Sequence, residues 1–365
     1  MTALPAIVDL TGASVTEGGV KTWFTNLRAM LAETIGATGG GQADPTSGSV
    51  FRRNALYNGA MQVWQRGTGS TSSSAGSRTF LADRWYVNPS GAAVNQLRST
   101  TIPTGSRAQY SLELQGATSV TTVLIGQRLL ASDMPIIKRT ITCQAYVQNL
   151  SGAAFNPSLL LGTPNASDDF TTVVNRLTQS IQSCPDSAWT QVSHTVDISA
   201  YTNIDNGLQV EIQIPSGSLV SGDTVRITEV QIAACSVVTP LDVSTFHQEL
   251  SRCLPFYEKS FPHATAPAQS AGASGSVYLS QVVAASTAMS GAGVRFKAEK
   301  RASPTVTIYN PSAANAQVRN ATTATDCTGS SGTGDIQGII FSFTTPGGSA
   351  AGNQLNIHFS ASAEP

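Results

Sequence analysis

The sequence predicts a mainly β protein with an N-terminal helix, a jelly-roll-like antiparallel β-sandwich, a connecting helix and a second, smaller C-terminal β-sandwich domain. Three observations predict this class. Short segments rich in Val, Ile, Thr, Tyr and Phe alternate between apolar and polar residues from about residue 50 onward. Gly, Pro, Asn and Ser separate these segments, and helical periodicity is confined to two places. A chain of 365 residues is also long enough for two or three domains.

The pattern of the N-terminal segment, residues 1–49, predicts an amphipathic helix over residues 17–35. Ser14 and Glu17 fit a capping box, and Gly36 stands where a glycine commonly ends a helix. The apolar face consists of Val20, Trp23, Phe24, Leu27, Met30 and Leu31. A Gly/Ser/Pro-rich linker, residues 37–49, separates this helix from the rest of the chain. The helix either packs within its own domain or docks on a partner, and we expect docking or self-association through this face.

Residues 50–242 predict the jelly-roll-like sandwich. In residues 208–214, apolar side chains alternate with Gln209, Glu211 and Gln213, which is typical of an antiparallel strand with one face in water. Further strands are expected at residues 109–114, 140–147 and 224–232. Repeated at this density, such strands predict two packed sheets.

The connecting segment, residues 243–261, predicts a helix from Val243 to about Leu254, which Pro255 ends. Residues 262–365 return to β patterning and form the second domain. Strands are expected there at residues 276–283, 305–309, 336–343 and 354–359. Long polar loops at residues 310–334 and 345–353 lie on this framework, and such loops are a common platform for recognition.

Composition and charge exclude several functions. Lys and Arg number 21 against 22 Asp and Glu, a formal net charge of −1, so nothing attracts nucleic acid or an anionic membrane surface. No apolar run of about 18 residues is present, which argues against membrane insertion. The first ten residues lack the features of a signal peptide, so we expect synthesis in the cytoplasm without export through one.

Neither metal nor catalytic patterns stand out. The five cysteines are scattered without a CxxC pair, and the four histidines have no ligand spacing, so we expect no metal site and no cofactor. No G-x-S-x-G motif is present, and the neighbouring Asp168 and Asp169 would point to opposite faces of a strand. The sequence therefore predicts no catalytic residues and no enzyme activity.

The clearest candidate site is a group of aromatic and charged residues early in the sandwich. Trp64, Arg66, Asp83, Arg84 and Trp85 could contact a glycan, since aromatic faces stack on sugars and charged groups bind hydroxyls. The alternative is structural. A Trp on an alternating strand serves as a core anchor, and the Asp-Arg-Trp step forms an internal ion pair. We expect the structural role to predominate.

The same residues carry a resemblance to a known family. Residues 54–67, NALYNGAMQVWQRG, followed by ADRWY at 82–86, resemble the opening of a β-sandwich domain of tail fibres and other structural proteins of tailed bacteriophages. VRITEVQIAA at 225–234, ELSRCLPFYEK at 249–259 and the final FSASAE are similar to later parts of this group. The N-terminal DLTGASVTEG resembles segments that attach fibres to the particle.

The resemblance implies a virion protein made in the host cytoplasm. Its expected function is that of a tail fibre that binds a host surface glycan without catalysis, with residues 262–365 as the receptor-binding tip. Its expected partners are other tail, baseplate or neck proteins and two further copies of itself in a homotrimer. The alternatives are a purely structural capsid or neck decoration and an enzyme that cleaves cell-surface polysaccharide.

Overall fold

The computed structural model describes residues 54–279 and 284–365, all within one compact unit that spans residues 53–365. The predicted N-terminal helix, its apolar face from Val20 to Leu31 and the linker lie outside the described residues. Every strand pairing in the described ranges is antiparallel. The predicted mainly β, antiparallel class is therefore confirmed, whereas the jelly-roll-like connectivity stays a prediction.

Two six-stranded sheets form the first part of this unit. In spatial order, the first sheet consists of β1 (Thr71–Ser73), β4 (Val94–Ser99), β5 (Ser111–Gln115), β12 (Thr224–Ala233), β7 (Thr140–Leu150) and β10 (Trp189–Asp197). The second consists of β2 (Thr79–Phe80), β3 (Tyr86–Pro89), β6 (Val123–Leu130), β11 (Gly207–Ile214), β8 (Ser158–Ala166) and β9 (Asp169–Ser180). A short helix, Met134–Ile137, and two 3₁₀ turns, Ala131–Asp133 and Ile204–Asn206, lie between strands.

The two sheets share one apolar core. Leu112 and Val225 of the first sheet and Ile125 and Leu208 of the second belong to the same buried cluster. Along β12, Val225 is fully buried while the neighbouring Arg226 is half-buried, as the alternation of side chains across a strand requires. Burial of such side chains contributes roughly 1.5–3 kcal/mol each.

The expectation that one face of β11 lies in water is wrong. Gln209 and Glu211 are only 7% and 6% exposed. Gln209 Oε1 accepts a hydrogen bond from Arg128 Nε at 2.9 Å, and Glu211 Oε1 accepts one from the Tyr86 hydroxyl at 2.7 Å. Arg128 also donates to the carbonyl of Pro365 at 2.5 Å, so the end of the chain covers this face. Period two identifies opposite faces of a strand, but it does not reveal what covers each of them.

A third six-stranded sheet and a three-stranded sheet form the C-terminal part. The third is built around β21 (Leu355–Ser362), which pairs with β13 (Tyr257–Lys259), β14 (Val277–Leu279), β16 (Thr305–Tyr309) and β17 (Arg319–Asn320), while β18 (Thr325–Asp326) pairs with β17. The fourth has the order β15 (Ala288–Arg295), β20 (Gly338–Thr344) and β19 (Thr328–Gly334). Ile357 of the third sheet and Phe341 of the fourth lie in one shared core.

The connecting helix spans Phe246–Cys253. It begins later than Val243 because Thr245 caps it, with the Thr245 side chain accepting from Gln248 N and the Gln248 side chain bonding back to the Thr245 N–H. Its buried residues are Cys253 and the acidic Glu249. The helix thus docks through a carboxylate as well as through apolar side chains.

Candidate functional site

The five sandwich residues singled out by the sequence lie together in one buried cluster. This cluster, the joint, consists of Trp64, Arg66, Asp83, Arg84 and Trp85. Trp64 is 0% exposed, and Trp85, Asp83 and Arg84 are each 1% exposed. Arg66 is slightly more accessible, with 13% of its side chain exposed. The expected alternating strand at Trp64 is wrong, because the chain forms turns there. The rings and charges of all five face other parts of the protein.

Arg66 and Asp83 form an ion pair inside the joint. Arg66 Nη1 lies 3.5 Å from Asp83 Oδ1, and the guanidinium carbon lies 3.7 Å from the ring centroid of Tyr257. The Asp83 carboxylate accepts two hydrogen bonds from Gln65, from the backbone N at 3.0 Å and from Nε2 at 2.6 Å. Burial raises the pKa of Asp83. Burial alone would lower the pKa of Arg66, but the negative charges of Glu364 and Asp83 outweigh it and raise that pKa.

Arg84 connects the joint to the end of the chain. Its Nη1 donates to Glu364 Oε2, and its Nη2 donates to the carbonyl of Arg128 at 2.5 Å. The Arg84 guanidinium carbon lies 3.5 Å from the ring centroid of Phe256. Glu364 also accepts from Arg66 Nη2 at 3.0 Å. One carboxylate near the C-terminus therefore compensates two buried guanidinium groups.

Asn58 organises the turn that precedes these residues. Its side-chain oxygen accepts from the backbone N–H of Gln62 at 2.8 Å and of Val63 at 2.9 Å. Its side-chain nitrogen donates to the carbonyls of Val63 at 2.9 Å and Asp83 at 3.1 Å. The φ angle of Asn58 is 52°, a left-handed conformation that Asn adopts more readily than most residues. One buried side chain thus holds two separate backbone segments together.

Gly59 allows this turn to approach the first sheet. A Cβ atom at Gly59 would lie 2.1 Å from the carbonyl oxygen of Val230, which no side chain tolerates. Val230 N donates to the Gly59 carbonyl at 3.0 Å, and Asn54 Nδ2 donates to the Val230 carbonyl at 2.9 Å. The Asn-Gly step at residues 58 and 59 is therefore explained by packing.

These contacts leave no ring face for a glycan at the motif. The indole N–H of Trp64 donates to the Met61 carbonyl at 2.5 Å, and that of Trp85 donates to the Asn58 carbonyl at 3.1 Å. Both indoles are enclosed by the first core. The motif residues hold the fold together, and a ligand has to bind elsewhere.

A cleft of about 480 Å³ opens beside this joint. Its volume lies within the range of about 300–1,000 Å³ that is typical of ligand sites. Ten residues line it: Gln62, Arg98, Arg107, Gln109, Tyr110, Val243, Ser244, Thr245, Phe246 and His263. The lining combines aromatic rings, amides, hydroxyls and guanidinium groups, and it includes no carboxylate.

Tyr110 positions Arg98 in this cleft. The Arg98 guanidinium carbon lies 4.2 Å from the ring centroid of Tyr110, a cation–π contact. Tyr110 itself packs against the first core. The Arg98 backbone N donates to the Thr68 carbonyl at 3.2 Å. Within the described ranges, no carboxylate forms an ion pair with Arg98. Its charge is therefore fixed in place and available.

Arg107 lies on a loop that Glu229 fixes in place by accepting hydrogen bonds from it. Glu229 Oε1 accepts from the N–H of Arg107 at 2.6 Å, from the N–H of Ala108 at 3.3 Å and from the Ser106 hydroxyl at 2.6 Å. The Arg107 guanidinium donates one hydrogen bond, to the Leu241 carbonyl at 3.2 Å. Arg107 is exposed, so its remaining N–H groups are open to a ligand.

Phe246 and His263 supply an aromatic wall. Their rings meet edge to face, with centroids 4.8 Å apart at an interplanar angle of 87°. His263 Nε2 accepts from Trp64 N at 3.4 Å. Burial lowers the pKa of His263 to about 4, and the positive charges of Lys259 and Arg98 lower it further in the same direction. The imidazole is therefore uncharged at neutral pH.

We expect the protein to lose stability as the pH falls from about 6.5 toward 4, in part through His263. The pKa of a histidine in an unfolded chain is about 6.5. The unfolded state therefore takes up the proton at a higher pH than the folded state does, and it becomes favoured as the pH drops. Thermal unfolding at pH 7 and pH 5 measures this loss. His263→Gln should show a smaller decrease in Tm between the two pH values than wild type. The exposed His247→Gln is the control; equal pH dependence in both variants would contradict the assignment.

The expected long loop at residues 310–334 is wrong in part, because β17, β18 and β19 lie within it. The polar side chains of its first half bond to one another. Asp326 Oδ1 accepts from Asn310 Nδ2 and from Arg319 Nη1, each at 2.9 Å. Asp326 Oδ2 accepts from Asn315 Nδ2 at 2.8 Å. A receptor-binding role for residues 310–334 stays a prediction, but these side chains are engaged internally, in contrast to the open guanidinium groups of the cleft.

Sequence reasoning missed the cleft. Its lining comes from four separate stretches, at residue 62, residues 98–110, residues 243–246 and residue 263. No motif spacing connects them. The one available signal is the pair Arg98 and Arg107 in a chain with only 12% charged residues, without acidic residues between them.

In the described residues, no group of three or more His, Cys, Asp or Glu side chains could hold a metal ion, and all five cysteines are free thiols. None of the helices in these ranges has the length and apolar character needed to cross a bilayer.

Comparisons with known proteins reveal weak structural likeness only. No protein-family model and no curated protein sequence matches the chain. The enzymatically active domain of tailspike protein 4 from bacteriophage CBA120 is 11% identical, with a TM-score of 0.30, and the match covers 49% of this chain and 21% of that one. The C-terminal family 22 carbohydrate-binding module of Clostridium thermocellum Xyn10B is 15% identical, with a TM-score of 0.30, and the match covers 42% of this chain and 89% of the module.

A further carbohydrate-binding domain matches to a similar extent. The CBM22-2 xylan-binding domain of Paenibacillus barcinonensis Xyn10C is 14% identical with a TM-score of 0.30, and the match covers 42% of this chain and 92% of that domain. At these values the chain is similar to such domains over less than half its length.

Proposed function

We propose that this chain is a fibre protein of a tailed-bacteriophage virion that binds a host surface glycan without catalysis. Two independent features support the proposal. The motif at residues 54–67 and 82–86 resembles structural proteins of phage tails, and the cleft beside it has the chemistry of a sugar site. The cleft carries the binding part of the proposal.

The cleft offers the two kinds of contact that a sugar needs. The half-buried ring of Phe246 presents an apolar surface on which the C–H face of a pyranose packs. Gln62, Gln109, Arg98 and Arg107 supply amide and guanidinium groups for hydroxyl oxygens. Gln62 Nε2 already donates to the Ser244 carbonyl at 3.0 Å, which fixes its amide at the rim.

The same lining favours binding over cleavage. Most glycoside hydrolases use a pair of carboxyl groups that flank the scissile bond. None of the ten lining residues is Asp or Glu. We therefore assign the cleft to recognition and include no catalytic step.

Attachment through the N-terminal helix, contacts with other virion proteins and a homotrimeric state stay predictions. Three copies of the cleft on one fibre would raise the effective affinity through avidity, because binding at one site makes binding at the next intramolecular. Weak single sites would then suffice for adsorption.

Phe246→Ala should weaken glycan binding at least roughly tenfold, since it removes the stacking surface. Alanine favours the helix, and Thr245 still caps it, so the fold should persist. A glycan array with the full chain identifies the strongest-binding glycan, and titration of that glycan into wild type and variant gives the affinities.

Tyr278→Ala is the matched control for this test. Tyr278 is 56% exposed and does not line the cleft. Its replacement should leave the affinity unchanged. Equal affinities for wild type and Phe246→Ala would exclude the cleft as the binding site.

A further inference from the structure

Among the positive groups of the cleft, Arg98 has an unusual environment. The other half-buried or buried arginines of the described residues all donate side-chain hydrogen bonds within the protein. Arg84 donates to Glu364 and Arg226 to Glu113, while Arg128, which has no carboxylate partner, donates to Gln209 Oε1 and to the Phe170 carbonyl. Arg98 instead rests on the ring of Tyr110, with no such partner in the described ranges. A half-buried cation without a counter-ion has lost part of its hydration, which an anionic ligand can replace.

Two further cations add to the field around Arg98. Arg107 lines the same cleft with only one of its guanidinium hydrogen bonds used. The Lys259 ammonium donates to the carbonyl of His263 at 2.7 Å, directly behind the aromatic wall. The nearby carboxylate of Glu229 is buried and accepts three hydrogen bonds, from the loop that carries Arg107. The open side of the cleft is therefore positive.

We infer that the cleft selects acidic glycans, in which a carboxylate or phosphate on the sugar pairs with Arg98 and Arg107 while the sugar ring packs on Phe246. This inference rests on the proposed function and narrows it to a ligand class. Arg98 is the specificity-determining residue, because its planar guanidinium is held at a fixed angle and can bind the two oxygens of an acidic group together. Tyr110 is a positioning residue that acts through Arg98.

The test uses matched acidic and neutral probes with the full chain. The carboxylate probes are trigalacturonate with its methyl ester, and 3′-sialyllactose with lactose. The phosphate probe is mannose 6-phosphate with mannose. We expect at least one acidic probe to bind tenfold or more tightly than its neutral partner at low salt, with a preference that shrinks as salt is raised. Which acidic probe binds distinguishes carboxylate from phosphate.

Variants assign this preference to the arginines. In Arg98→Gln/Arg107→Gln, the preference for the acidic probe over its neutral partner should fall at least tenfold, because the acidic probe loses its ion pairs whereas the neutral partner loses only hydrogen bonds to its hydroxyl groups. Arg139→Gln, an exposed arginine outside the cleft, should behave as wild type. Tyr110→Leu removes the ring beneath Arg98 and should reduce the preference, whereas Tyr110→Phe keeps the ring and should retain it. Equal behaviour of these two variants would show that the ring does not position Arg98.

The outcomes separate the two proposals. Neutral probes that bind as tightly as acidic ones, in a manner that Phe246→Ala abolishes, would overturn the acidic preference and leave glycan binding intact. A preference for acidic probes that survives in the double variant would place the anion elsewhere and overturn the assignment. If neither class binds at millimolar concentration, both the inference and the proposed glycan binding fall.

Discussion

Glu364→Ala should lower the free energy of unfolding by about 3–5 kcal/mol, the usual result of removing one partner from a buried ion pair. Glu364 is 6% exposed, and it pairs with Arg84 and Arg66, which are 1% and 13% exposed. Its removal leaves Arg84 without a counter-ion and leaves Arg66 paired with Asp83 alone. Urea denaturation followed by tryptophan fluorescence measures the loss, since Trp64 and Trp85 belong to the joint.

Two variants make this result specific. Glu299→Ala removes an exposed glutamate from the same part of the chain and should change stability by no more than about 0.5 kcal/mol. Glu364→Gln keeps the side-chain shape and one acceptor, so its loss should lie between the two. A loss for Glu364→Ala as small as that for Glu299→Ala would mean that the joint does not depend on the C-terminal carboxylate.

Asn58→Ala is expected to cost about 3 kcal/mol or more, through two separate effects. It leaves the buried N–H of Val63 and the buried carbonyl of Asp83 without partners, at about 1–3 kcal/mol for each unsatisfied group. Alanine also lacks the local side-chain hydrogen bonds through which Asn tolerates a φ of 52°, so the left-handed conformation costs roughly 1–2 kcal/mol in the variant. Chemical denaturation of purified variants gives the total.

Asn58→Gly separates these two effects. Glycine accepts the positive φ, so this variant should lose only the hydrogen bonds and be more stable than Asn58→Ala by roughly 1–2 kcal/mol. Asn203→Ala reports the backbone effect alone, because Asn203 is exposed with a φ of 64° and makes no capping bond. Equal stability of Asn58→Ala and Asn203→Ala would show that the side-chain bonds of Asn58 contribute nothing.

Regular strands could be predicted from the sequence because their signal is local. The expected strand at residues 208–214 corresponds to Gly207–Ile214, and the one at residues 305–309 corresponds to Thr305–Tyr309. Alternation of apolar side chains is sufficient for both. The connecting helix was placed correctly at its C-terminal end, where Pro255 follows, but its start depended on the cap at Thr245.

The joint and the cleft could not be predicted in the same way, because their contacts join residues far apart in sequence. Glu364 meets Arg84 across 280 residues, and Trp64 N meets His263 across 199. The expected strand at Trp64 was wrong because Asn58 and Met61 adopt positive φ angles, which hydrophobic periodicity does not detect. The tertiary structure alone determines whether a charged side chain has a counter-ion. Arg84 pairs with Glu364, whereas Arg98 lies on the ring of Tyr110 without a carboxylate partner in the described ranges.

The most direct measurement is a crystal structure of the full chain with the strongest-binding glycan from the array. We expect the sugar in the cleft, with its ring against Phe246 and a polar group within hydrogen-bond distance of Arg98. A glycan bound instead at the polar loops of residues 310–334, with the cleft empty, would contradict the proposed site.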